Sequence, residues 1–104
     1  MDTIKEQDFK ALINDSELPV IVDFYADWCN PCKTLGRVLE DLSACYVGRV
    51  KFVKCDVEEA DAITSEYCIR NIPTVLFFNK GVLIDSFSGA LPKDKVIEKI
   101  EKLL

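Results

Sequence analysis

Cys29 and Cys32 stand two residues apart around Pro31, with Trp28 before them and Lys33 after, in the stretch YADWCNPCKTL. Thiols at that spacing can hold half of a metal site, staple a small loop, or make and break a disulfide. A zinc site needs four nitrogen or sulfur ligands, commonly as two pairs. The chain has no histidine and no second CxxC, and Cys45, Cys55 and Cys68 fall on three different elements. A permanent staple across so short a loop stabilises little, because the entropy removed from the unfolded chain shrinks with loop size. Reversible disulfide chemistry is the use that remains, and it calls for no metal and no bound cofactor.

A strand and a helix must hold the pair. After Pro19, the run VIVDFYA is too uniformly apolar for a half-exposed strand, so it predicts a central one covered on both faces. Leu35, Val38, Leu39, Leu42, Cys45 and Tyr46 recur at three and four, which predicts a helix over residues 30–46 that stops at Gly48. The two cysteines then sit at a helix N-terminus, where unpaired N–H groups and partial positive charge favour an anion. A Cys29 thiolate is stabilised there below the free value of about 8.5. Cys32, one turn in, is expected to be more buried and harder to ionise; Lys33 favours the thiolate and Asp27 opposes it. Such asymmetry lets one sulfur attack and the other resolve.

Along the rest of the chain, Phe9, Leu12 and Ile13 give a first helix over residues 6–15, with a short strand near Thr3–Ile4. VKFVKCD reads as a second central strand. Asp56 with Glu59 three later resembles a capping box, opening a helix through Ala60, Ile63 and Tyr67. TVLFFN and VLIDSFSG, joined through Asn79-Lys80-Gly81, read as an antiparallel hairpin with Gly81 supplying the positive φ. Pro92 opens a last helix whose stripe is Val96, Ile97, Ile100, Leu103 and Leu104. The order is that of an α/β fold with a mixed sheet between helices.

A chain of 104 residues is expected to form one domain around one core. Its net charge of −5 argues against nucleic acid, which needs a surplus of Lys and Arg on one face. MDTIKEQDFK lacks the basic and apolar regions of a secretory signal, and LPVIVDFYA is far short of the ~20 residues that span a bilayer. The expectation is therefore an intracellular, cytoplasmic chain away from membranes. An odd count of five cysteines fits free thiols in a reducing compartment better than a disulfide-stapled domain. Asp23 breaks the apolar strand, and a carboxylate buried there is costly. Desolvation should raise its pKa into a range useful to a base.

VDFYADWCNPCK, with NIPT at 71–74 and SGA at 88–90, resembles thioredoxin, and the resemblance covers essentially the whole chain. It implies the thioredoxin fold, a central mixed sheet of four to five strands flanked by four helices over residues 1–104. It also implies a protein-disulfide reductase, monomeric, that acts on disulfide-containing target proteins and is recharged by an NADPH-linked reductase. By that resemblance Cys29 is the nucleophile and Cys32 the resolving thiol. Asp23 is the buried acid that accepts the Cys32 proton through water, and Lys54 the lysine paired with it. Pro73 would be cis, with Trp28, Ile72 and Ala90 forming an apolar docking surface; Trp28 read alone fits an ordinary core aromatic equally well. Asn30, where the family usually has glycine, and Pro31 lie between the cysteines, where residues tune the dithiol–disulfide balance. Tyr25 replaces a common tryptophan. Cys68 takes a position that is often glycine or another small or polar residue. Arg37 stands where the family often has a helix-kinking proline, so the second helix should run on through it and the guanidinium should face solvent.

Overall fold

The computed structural model describes all 104 residues. Five strands, β1 (Asp2–Thr3), β2 (Val20–Tyr25), β3 (Lys51–Asp56), β4 (Thr74–Asn79) and β5 (Val82–Ser88), form one sheet in the order β1-β3-β2-β4-β5. The first three are mutually parallel; β4 runs antiparallel to β2 and β5 antiparallel to β4. Four helices cover it: α1 (Phe9–Asp15), α2 (Asn30–Cys45), α3 (Asp61–Glu66) and α4 (Lys93–Leu103).

Alternation along the strands decides which helix covers which face. Ile21, Phe52, Val75 and Phe77 pack with Leu35, Leu39 and Leu42 of α2 and with Val96 and Ile100 of α4. Val20, Val22, Phe24, Val53 and Leu76 pack on the other side with Phe9 and Ile13 of α1 and Ile63 of α3. Strand β2 is buried on both faces, as its unbroken apolar run requires. Because Ile21 faces α2, Asp23 two residues on faces α2 as well.

Helix α2 passes unbroken through Arg37, whose side chain is exposed, as expected once proline is replaced. Cys45 departs from the expected stripe and is exposed. At 3.6 residues per turn it lies roughly 80° round the axis from Leu35, whereas Leu39, Leu42 and Tyr46 cluster within about 40°. Leu104 lies beyond the end of α4 and is likewise exposed. The capping box at Asp56 does not form as expected. The Asp56 carboxylate accepts from the Glu58 amide at 3.0 Å, one 3-10 turn follows at Val57–Glu59, and the chain straightens at buried Ala60 before α3 begins. Burying the Ala60 methyl in the core interrupts what the sequence pattern reads as one helix.

The β4–β5 hairpin closes through Lys80 and Gly81, both with positive φ (51° and 81°), as a two-residue type I′ turn needs. Gly81 also backs onto the Asn14 side chain, which a Cβ would strike. Gly81→Ala should therefore lower unfolding free energy by about 1–2 kcal/mol, the cost of a left-handed Cβ, read from urea denaturation at constant m-value.

Candidate active site

The first turn of α2 is built around Cys29. Cys29 is its N-cap, with extended backbone (φ −89°, ψ 108°), and Sγ accepts the Cys32 amide N–H at 3.2 Å. Asn30 and Pro31 occupy the first two helical positions, where the N–H that proline lacks has no intrahelical partner to lose. Cys29 and Cys32 are joined as a disulfide, with Cα atoms 5.2 Å apart. The expected difference in burial is absent in this oxidised form, since Cys29 is 5% and Cys32 4% accessible. Both residues sit in one small cluster with Ala26. What distinguishes them is surroundings, because Cys29 lies 4.0 Å from the Ile72 carbonyl oxygen while Cys32 lines a cleft behind α2.

Ile72 packs against the cluster that holds Cys29, and a hydrogen bond ties its loop to the one at residues 88–90. The Ile72–Pro73 peptide is cis. The Gly89 amide donates to the Pro73 carbonyl at 2.8 Å, which sets residues 88–90 beside 71–73. Thr74, buried at the start of β4, donates from Oγ1 to the Asn71 carbonyl at 2.6 Å and meets Ser88 Oγ at 3.1 Å. These contacts give the NIPT and SGA segments a common physical task. Trp28 is not a core aromatic, for it is 67% accessible and its indole N–H donates to Glu58 Oε1 at 2.8 Å. Sequence reading missed Glu58. The one signal for it was Asp56, which caps the turn that presents it.

Asp23 lies on β2 beneath α2, 2% accessible, and its Oδ1 has no hydrogen-bond partner. Parallel register sets it directly beside Lys54 on β3. The expected pairing is not a direct contact, because the Lys54 ammonium stands 5.0 Å above the centre of the Tyr25 ring and makes no ion pair. Its charge still reaches the carboxyl. Burial pushes Asp23 up to about 7 from an ordinary 3.8, and Lys54 offsets that only in part. Among the other thiols, burial with nearby Asp56 and Glu6 pushes Cys55 up to about 11, so it stays protonated at neutral pH. Cys45 and Cys68 are exposed free thiols.

A helix-capping cysteine disulfide-bonded one turn into its helix, beside a cis-proline loop and above a buried carboxyl, defines a thiol–disulfide oxidoreductase on a mixed α/β sheet. The thioredoxin family model matches residues 1–102. Relatives include a thioredoxin of Synechocystis sp., 42% identical over 97% of this chain and 94% of that protein, and thioredoxin C-2 of Corynebacterium nephridii, 43% identical over 93% and 90%. A chloroplastic M-type thioredoxin of spinach is 42% identical over 97% of this chain, which spans 56% of that protein's length. The chain belongs to the thioredoxin family.

The raised pKa of Asp23 has a sign that can be tested. The folded state binds this proton more tightly than the unfolded chain, so stability is highest at low pH, other groups aside. It falls as pH rises from about 4 to about 7, by up to about 4 kcal/mol. Asp23→Asn removes the ionisation while keeping a buried polar group. Above pH 7 the variant should be more stable than the parent, by on the order of 1–3 kcal/mol. The difference should shrink and then change sign toward pH 4, because only the parent regains the linkage energy on protonation. Denaturant melts across that range check both statements.

Proposed function

We propose that this chain is a protein-disulfide reductase in which Cys29 attacks and Cys32 resolves. The observation that carries the reading is the position of the Cys29 sulfur, at the N-cap of α2 with an amide N–H directed at it and the Ile72 carbonyl 4.0 Å away. In the reduced protein the same N–H and the helix N-terminus stabilise a Cys29 thiolate. That thiolate attacks one sulfur of a target disulfide, forming a mixed disulfide and releasing the other target sulfur as thiolate. Cys32 gives its proton to the Asp23 carboxylate and attacks the Cys29 sulfur. The target leaves fully reduced, and the two protein sulfurs take the disulfide.

The other site residues have supporting roles. An extended target segment lies along Ile72, taking backbone hydrogen bonds as an added strand does. Trp28, Ile72, Pro73 and Ala90 give that segment an apolar seat. Lys54 holds down the Asp23 pKa, so that the carboxylate is available as a base near neutral pH. Asn30 and Pro31 set the dithiol–disulfide balance through the geometry of the turn.

Electrons return from an NADPH-linked reductase, and the chain works as a monomeric single domain in the cytoplasm, where it helps maintain redox balance. Two exposed free thiols are consistent with a reducing compartment. No helix is long and apolar enough to cross a membrane, and the acidic charge disfavours nucleic acid.

Cys32→Ser should accumulate mixed disulfides with target proteins through Cys29. Cys29→Ser should form none there and should fail to reduce insulin-type disulfides. Counting adducts on non-reducing gels, in a background with Cys45 and Cys68 replaced by serine, decides it; equal trapping by both variants would contradict the assigned roles.

A further inference from the structure

Behind α2 lies a cleft of about 630 Å³, open to solvent, with both Asp23 and Cys32 in its lining. Its walls are the first turns of α2 on one side and Tyr25 of β2 with Lys54 of β3 on the other. None of Trp28, Cys29, Ile72, Pro73 or Ala90 lines it. The cleft therefore opens away from the surface proposed to seat a target. Gly36 is part of the wall, and a Cβ built there would meet nothing within 4 Å, so a side chain at that position would project into open space.

Those facts bear on where a proton goes during resolution. Asp23 is almost wholly enclosed, and no protein group reaches its Oδ1, so its exchange with bulk water needs a path of its own. A seated target covers Cys29 and cannot leave that path on the docking face. We infer that the cleft is a proton port for the resolving step, left wide by the lack of a long side chain at Gly36, and that it stays open while a target covers Cys29. The inference rests on Asp23 acting as the base for Cys32. In the balanced step, Cys32 loses its proton to Asp23 as its sulfur displaces the target thiolate from Cys29. Asp23 then passes that proton to water in the port.

Besides Asp23 and Cys32, the charged and titratable residues lining the port are Tyr25 on β2, Lys54 on β3, Lys33, Arg37, Glu40 and Asp41 on α2, Asp27 between β2 and α2, and Met1 with its amino group. Glu40 is engaged by the Met1 amino group and Asp41 faces Lys93 at 3.9 Å. Lys54 is the one charge that shifts Asp23, so filling the port at Gly36 leaves the principal electrostatic partner in place.

The test uses reduced protein lacking Cys45 and Cys68, mixed by stopped flow with an aromatic disulfide that releases a coloured thiolate. The first phase reports attack by Cys29 and the second reports resolution by Cys32. Asp23→Asn should slow the second phase by about tenfold or more and leave the first unchanged. Gly36→Met should slow the second phase by about fivefold, with its pH midpoint moved upward by further desolvation of Asp23. Gly36→Ala, which improves the helix without filling the port, should behave as the parent does. If Asp23→Asn slows resolution while Gly36→Met keeps the parental rate and midpoint, the port is refuted and the base survives. If Asp23→Asn itself has no effect, the base assignment fails and takes the port with it. Equal slowing of both phases in Gly36→Met would also overturn the port, because attack by Cys29 makes no use of it.

Discussion

A carboxyl group buried without a partner in the middle of an apolar strand is the constraint around which the site is arranged. Asp23 sits where β2 is covered on both faces, and an apolar residue there would serve the core better. Strand alternation then sends its side chain toward α2, on the same side as Ile21 and beneath the turn that holds Cys32. The cost of ionising it is what moves its pKa into the neutral range. Lys54 acts at a distance from its seat over Tyr25, so the carboxyl is moderated without being neutralised by an ion pair.

The Cys29 sulfur is placed by different means. Cys29 ends the loop after β2 and starts α2, so the backbone that caps the helix also directs an N–H at its sulfur. The loops around it owe their positions to polar contacts, in particular Gly89 to Pro73 and Thr74 to Asn71 and Ser88. Those contacts tie β4 to β5 just where the sheet ends, with Ile72 packed against the Cys29 cluster. One end of the sheet thus carries the Cys29 turn beside the Ile72–Pro73 loop and a solvent cleft behind α2.

Much of this was legible in the residues. The doubly covered β2, the long α2 and the CxxC at their junction follow from hydrophobic period and from the chemistry of a helix N-terminus. The buried acid was legible because Asp23 interrupts a strand with no other polar residue. Contacts among distant residues were less so. Glu58 under the Trp28 indole, the seat of Lys54 over Tyr25 and the straightened backbone at Ala60 depend on how the elements pack, which no local pattern encodes. The capping-box reading failed because burying one methyl outweighed the local hydrogen-bond pattern. Exposure of Cys45 was in principle legible, since its angle on the helical wheel sets it at the edge of the stripe.

The central claim is that Asp23 is a base poised near neutrality by desolvation. Its most direct test is a carbon-detected NMR titration of the Asp23 carboxyl in the oxidised protein, where no cysteine of the pair titrates. The account predicts a midpoint near 7, far above the ordinary carboxyl value of 3.8. A midpoint near 4 would mean that the carboxylate is solvated or paired in solution, and would contradict the account.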